Sequence, residues 1–186
     1  NLKGDYQAMN VAAAAAAALA AGAPIEAVEA GIAAFEGVPN RGELVAEIDG
    51  VIYVNDTAAT APAAAIAALE RFADERVHLI SGGANKALDL APLADSIKRF
   101  ASTLTLIDGS ATPVLLELIG EAEFPIHGPY RDMDSALEAA RSDARPGDVV
   151  LLSPGVASFG VFTDEFDRGD QFRSAVEQVK NRNSHA

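Results

Sequence analysis

The 186-residue sequence predicts an α/β fold: a Rossmann-like, doubly wound, mostly parallel sheet with a pair of helices ahead of it. Three observations carry this expectation. From Leu44 onward, short β-type runs alternate with helix-length segments, the order that builds βαβ units. Several of these runs are apolar on both faces, as in a sheet covered by helices on each side. The segments after three of them are rich in glycine and hydroxyl residues, and open α/β sheets bind ligands at the carboxyl ends of their strands.

The elements follow in order. Residues 5–21 are dominated by alanine, the strongest helix former, and Gly22 supplies the stop. Pro24 opens a second helix running to about Phe35. The loop Gly37-Val38-Pro39-Asn40-Arg41-Gly42 marks the expected domain boundary. Residues 1–41 are thus assigned to a preceding domain and hinge, 42–180 to the Rossmann-like domain, and 181–186 to a disordered tail. Runs at 44–48 and 51–54 flank Asp49-Gly50, a hairpin signal. A helix over 62–73 with Pro62 in its first turn, a strand at 77–80 and a helix over 90–100 come next, with Ile97 and Phe100 as core positions. A strand at 104–107, a helix over 112–119, a weak strand at 124–126, a helix over 133–143, a strand at 148–152 and a helix over 166–180 complete the pattern.

Composition narrows the function. A formal net charge of -13 argues against nonspecific nucleic-acid binding, which relies on Lys and Arg neutralising phosphates, and against docking on an anionic membrane. The apolar run 11–21 is too short for a membrane span, and no cleavage region follows it. With no cysteine, disulfides, thiolate nucleophiles and cysteine metal sites are excluded, which fits a reducing compartment without establishing one. His78, His127 and His185 have no ligand spacing, so no metal site is assigned to this chain. The chain opens Asn1-Leu2-Lys3-Gly4 without Met and is expected to begin within a longer protein.

Three loops should emerge on one sheet edge: 55–60, 81–86 and 153–160. Together they offer Asp56, the hydroxyls of Thr57, Thr60, Ser153 and Ser158, glycine-rich amides and Lys86, a set suited to a small anionic substrate. Asp56 and Thr60 can equally be caps for the helix that Pro62 begins, and Lys86 alone can be a solvated charge. Gly82-Gly83 lacks the spacing of a P-loop, and no G-x-G-x-x-G follows the first strand, which disfavours a NAD-dependent dehydrogenase.

Taken in order, these segments resemble the Mur ligase family. Leu151-Leu152-Ser153-Pro154-Gly155-Val156-Ala157-Ser158 followed by Phe166-Asp167-Arg168-Gly169-Asp170-Gln171-Phe172 is similar to the family's L-L-S-P-x-x-A-S and F-x-x-R-G-x-x-F. Asp56-Thr57-Ala58-Ala59-Thr60 resembles D-S-K-A-T, and Gly82-Gly83-Ala84-Asn85-Lys86 resembles G-G-x-x-K. The segment 37–43 resembles G-x-x-H-R-x-E, and 4–10 resembles G-x-H-N-x-x-N.

The resemblance implies a cytoplasmic, ATP-dependent ligase of peptidoglycan precursor synthesis. It would add D-glutamate to a UDP-muramoyl substrate, UDP-N-acetylmuramoyl-L-alanine, through an acyl phosphate that the incoming amine attacks. ATP and Mg2+ are implied, with the magnesium ligands and the phosphoryl-transfer residues upstream, so the fragment alone is expected to be inactive. Residues 1–41 would then be the helical tail of the central ATP-binding domain. Lys86, Thr60, Ser158, Phe159 and Phe166 would hold the amino acid's carboxylates, while Gln7, Asn10, Arg41 and Asp56 would hold the nucleotide. The sequence departs from the family at Ala58, where the family has lysine, at Asn40, where it has histidine, and at Tyr6-Gln7, where it has His-Asn. A ligase for a different amino acid, a folylpolyglutamate synthase and a non-catalytic anion-binding module are the competing readings. Self-association of the fragment is expected if its leading helices expose apolar surface.

Overall fold

The structure, a computed structural model, describes residues 5–183. It divides into two compact units, Asn1–Val38 and Pro39–Ala186. In the first, α1 (Asp5–Ala20) and α2 (Ile25–Ala34) form a helical hairpin. The Gly22 amide donates to Leu19 O and the Ala23 amide to Ala18 O, with Gly22 at φ 91°. This is a Schellman stop, which needs a residue at positive φ and explains why a run of alanines ends where it does. No residue of α2 is buried within this structure.

The second unit holds one six-stranded sheet in the order β1-β2-β6-β3-β4-β5. The strands are β1 (Glu43–Ile48), β2 (Val51–Asn55), β3 (Val77–Gly82), β4 (Ala101–Ile107), β5 (Ile126–Tyr130) and β6 (Val149–Leu152). Only β1 runs antiparallel, joined to β2 by Asp49 and Gly50 at φ 52° and 78°, the two positive values that a type I′ hairpin requires. The helices are α3 (Pro62–Arg71), α4 (Ala91–Phe100), α5 (Thr112–Ile119), α6 (Met133–Ser142) and α7 (Glu165–Asn183).

Two cores sandwich the sheet. On one face Leu69 of α3, Leu93 and Ile97 of α4 and Leu115 of α5 pack on Val54, Leu79, Leu104 and Leu151. On the other, Met133 and Leu137 of α6 and Phe172, Val176 and Val179 of α7 pack on Tyr53, Ile80, Val150 and Leu152. Alternate residues of each strand feed opposite cores, as the period of two demands. The doubly wound parallel sheet expected from the sequence is therefore present.

Some boundaries differ from expectation. The weak strand expected at 124–126 lies instead at Ile126–Tyr130. Phe124 packs against a core, and Pro129 is tolerated because β5 pairs on one side only. β4 begins earlier than expected because Thr103, a polar residue that reads as loop, is buried and hydrogen-bonded to His78. α7 continues through Asn183, so the tail expected over 181–186 is helical in its first half, and 184–186 lie outside the described residues.

Candidate active site

β6 lies between β2 and β3 but is reached from the far edge strand β5 through α6, on the opposite face from α3, α4 and α5. The chain leaves β2 and β3 toward one face and leaves β6 toward the other. The sheet therefore has its topological switch at β6, and the crevice there is where this architecture binds ligands.

The three loops meet at this point. The Ser153 hydroxyl donates to Asp56 Oδ2 at 2.8 Å, and the Gly155 amide donates to Ala59 O at 2.8 Å. The Ser81 hydroxyl donates to Pro154 O at 2.7 Å. Ala84 and Ala157 exchange backbone hydrogen bonds at 2.9 and 3.1 Å. Gly83 sits beneath this exchange at φ 130°, where an added Cβ would run into Ala157 O, so the paired loops require glycine there.

Asp56 does not cap a helix: α3 begins at Pro62, and its N-cap residue, Ala61, is joined by no side-chain cap hydrogen bond. Its carboxylate is buried and accepts the Gly42 amide at 2.9 Å as well as the Ser153 hydroxyl. It thereby joins the boundary loop to the ends of β2 and β6. Burial pushes its pKa up to about 6, against the lowering effects of Ser153, the Gly42 amide, Arg41 and Arg71. Arg41 is exposed and near enough to Asp56 to act on it through charge.

Lys86 is exposed, and its Nζ lies 5.5 Å from the centroid of the Phe159 ring. This brings the cation of the β3 loop over the aromatic of the β6 loop. Phe159 and Phe166 are 54% and 60% exposed, so two large rings face solvent at the site rather than joining the core. Ser158 is buried, and its carbonyl accepts the Phe162 amide at 3.3 Å, which turns the β6 loop back on itself. Thr60 is half-buried at the end of the β2 loop. Lys86 and Phe159 are thus in direct contact, while Thr60 and Ser158 lie on the two loops that Gly155 and Ala59 join. Asn10 lies exposed on α1 in the first unit; Gln7 falls on the same helix, but its side chain is outside the described residues. Among the described residues no group of three His, Asp or Glu side chains could hold a metal ion.

Two further groups build the site and were given no role from sequence. Asn40, buried at φ 67°, accepts from Asn55 Nδ2 and Arg173 Nη1 at 2.9 Å each through Oδ1, and its carbonyl accepts the Ala58 amide at 2.9 Å. Asparagine tolerates this left-handed conformation better than most residues. Arg173 also pairs with Glu43 at 2.9 Å. Arg168 is fully buried and donates to Thr57 Oγ1, Thr57 O and Val156 O. The signal for it was available: Arg168, Phe172, Ala175, Val176 and Val179 share one helix face, and an arginine on an apolar face needs partners.

Residues 40–156 match the family described as Mur ligase, glutamate ligase domain. The chain belongs to the Mur ligase family. A UDP-N-acetylmuramoylalanine–D-glutamate ligase of Roseiflexus sp. (strain RS-1) is 49% identical over 179 residues, 95% of this chain and 38% of that relative. The ligase of the same name from Burkholderia mallei (strain SAVP1) is 39% identical over 178 residues, 96% of this chain and 35% of its own length. Among solved structures, the MurF ligase of Thermotoga maritima in complex with ADP superposes with a TM-score of 0.63 at 17% identity, covering 93% of this chain and 39% of that one. At that identity the likeness speaks for the shared Mur ligase fold. The chain spans little more than a third of the length of these curated relatives.

Proposed function

We propose that this chain is the carboxy-terminal part of an ATP-dependent ligase that adds D-glutamate to UDP-N-acetylmuramoyl-L-alanine. The observation that carries the reading is the meeting of the loops that bear Thr60, Lys86, Ser158 and Phe159 at the switch point, with Lys86 over the Phe159 ring, in a chain 49% identical to a relative of that name. A dicarboxylate amino acid needs a cation and several neutral donors, and this edge offers both. Lys86 neutralises one carboxylate, while the hydroxyls of Thr60 and Ser158 and the amides beside Phe159 and Phe166 orient the ligand. The exposed rings of Phe159 and Phe166 cover it and limit water at the reacting end.

ATP is the phosphoryl donor in this reading, in keeping with the ADP bound to the Thermotoga maritima relative. Arg41 contacts its phosphates and Asp56 its ribose, with Gln7 and Asn10 reading adenine through their carboxamides. The carboxylate of the UDP-muramoyl substrate attacks the terminal phosphorus of ATP and ADP leaves. The amine of the amino acid then attacks the acyl carbon, and phosphate departs as the amide forms. Among the described residues no group of three His, Asp or Glu side chains could hold a magnesium ion, and the magnesium ligands in this reading belong to the upstream part of the enzyme. The domain assignment belongs to the same proposal: residues 1–41 complete a central ATP-binding domain and 42–180 bring the amino acid. The enzyme works in the cytoplasm, where its nucleotide substrates are made; among the described residues no helix is long and apolar enough to cross a membrane.

A second reading, a ligase of the same reaction for another amino acid, is favoured by one observation. Ala58 stands where the family has lysine, leaving Lys86 as the cation among these loops. Amino-acid-dependent ADP release by the full-length protein, with D-glutamate compared against L-glutamate, D-aspartate and L-lysine, separates the two. Selective turnover with D-glutamate supports the first reading, and preference for another amino acid moves the assignment to the second. Absence of turnover from folded, ATP-binding protein points to a non-catalytic anion-binding module.

A further inference from the structure

Arg168 has a fully buried side chain, yet among the described residues no carboxylate hydrogen-bonds it, and Glu165 acts on it through charge alone. Its guanidinium instead donates to three neutral oxygens: Nε to Thr57 Oγ1 at 2.9 Å, Nη2 to Thr57 O at 2.9 Å and Nη1 to Val156 O at 3.4 Å. Burying a cation that no carboxylate hydrogen-bonds is costly, and an apolar side chain of similar volume would fill the same space more favourably. Burial brings this guanidinium's pKa down to about 10, against the raising effect of the Glu165 charge. Filling the core therefore does not account for an arginine here.

What the arginine achieves is geometric. Thr57 lies in the loop after β2, Val156 in the loop after β6, and Arg168 itself in the first turn of α7. A planar fork with fixed donor directions holds these three segments in one arrangement, which a flexible ammonium cannot do as well. Thr57 Oγ1 passes the restraint on by donating to Glu165 O at 2.9 Å. Gly169 allows the helix to approach this closely, since a Cβ there would run into Asn40 Oδ1 and Thr57 Cγ2. Thr60, Ser158, Phe159 and Phe166 all lie within three residues of a clamped point.

We propose that Arg168 is a positioning residue that clamps the β2 loop, the β6 loop and the start of α7 into one rigid ligand-binding rim. The catalytic consequence rests on the reading that this rim holds the amino acid. The test uses the full-length protein with Arg168→Lys, which keeps the charge and loses the fork, and Thr57→Val, which removes one acceptor and carries the test if the first variant folds poorly. Hydrogen–deuterium exchange of the Ala59, Thr60, Gly155 and Ala157 amides should accelerate about tenfold, with β3 unchanged. The KM for the amino acid should rise about tenfold while that for ATP stays within about twofold. Unchanged exchange in these loops, or an equal rise throughout the sheet, would overturn the proposal, as would equal shifts in both KM values. A wild type that does not turn over D-glutamate counts against the proposed function alone, because the exchange measurement still decides the clamp.

Discussion

Asp56 accepts hydrogen bonds from Gly42 and Ser153 and is buried, with Arg41 and Arg71 acting on it through charge alone among the described residues, and this combination gives it a pH signature. Its pKa is raised from 3.8 to about 6, so the charged form is disfavoured on folding. Below the lower value both states are protonated and the group costs nothing. The cost grows between the two values and is complete above the upper one. A rise of that size corresponds to about 3 kcal/mol. Asp56→Asn should therefore flatten the part of the stability profile that falls between about pH 4 and pH 6 in the wild type, measured by urea unfolding. A wild-type profile identical to that of the variant over this window would contradict the assignment. Asp56 was legible as a candidate site residue because it follows a strand directly. Its joining role was not, because the partner amide at Gly42 is fourteen residues away and depends on the hairpin register.

At the scale of elements, the amino ends of the central strands are tied by a second polar group. His78 of β3 bonds Thr103 of β4 through Nδ1 and Asp148, just ahead of β6, through Nε2, each at 3.0 Å. The order hydroxyl, imidazole and carboxylate is that of a nucleophilic relay, but all three are buried, at the end of the sheet remote from the loops. Its role is to fix three strands. Burial raises the Asp148 pKa, but the His78 hydrogen bond, the Arg145 amide and the charges of His78 and Arg76 outweigh it and hold the carboxylate below its ordinary range. The stability this contributes is present above the ordinary carboxylate value and is lost as pH falls through the lowered one. Asp148→Asn should cost about 1–3 kcal/mol near neutral pH and erase that acid-side loss, with a chemical-denaturation series at several pH values as the check. The helices and apolar strands were legible from periodicity and length. β5 and the start of β4 were not, because Pro129 and Thr103 read as loop residues until edge position and a buried histidine partner explain them.

Over the whole molecule, the sheet order decides where chemistry is possible. The alternation of strands and helices implied a doubly wound sheet, but the placement of β6 between β2 and β3 is a tertiary result that no local pattern states. The loops that meet at the switch were legible because they carry ordered motifs. Its assembly through Arg168, Asn40 and Arg173 was not, because those contacts span more than a hundred residues of chain. If this edge holds the carboxylate of the incoming amino acid, as proposed, Lys86 is the side chain on which that binding depends most. The measurement that tests it most directly is the steady-state KM for D-glutamate and for ATP in the full-length protein and its Lys86→Ala variant. The KM for D-glutamate should rise about tenfold or more with the ATP value within about twofold, as expected when one cation–carboxylate contact is removed. An unchanged KM for D-glutamate in a folded, active variant would contradict it.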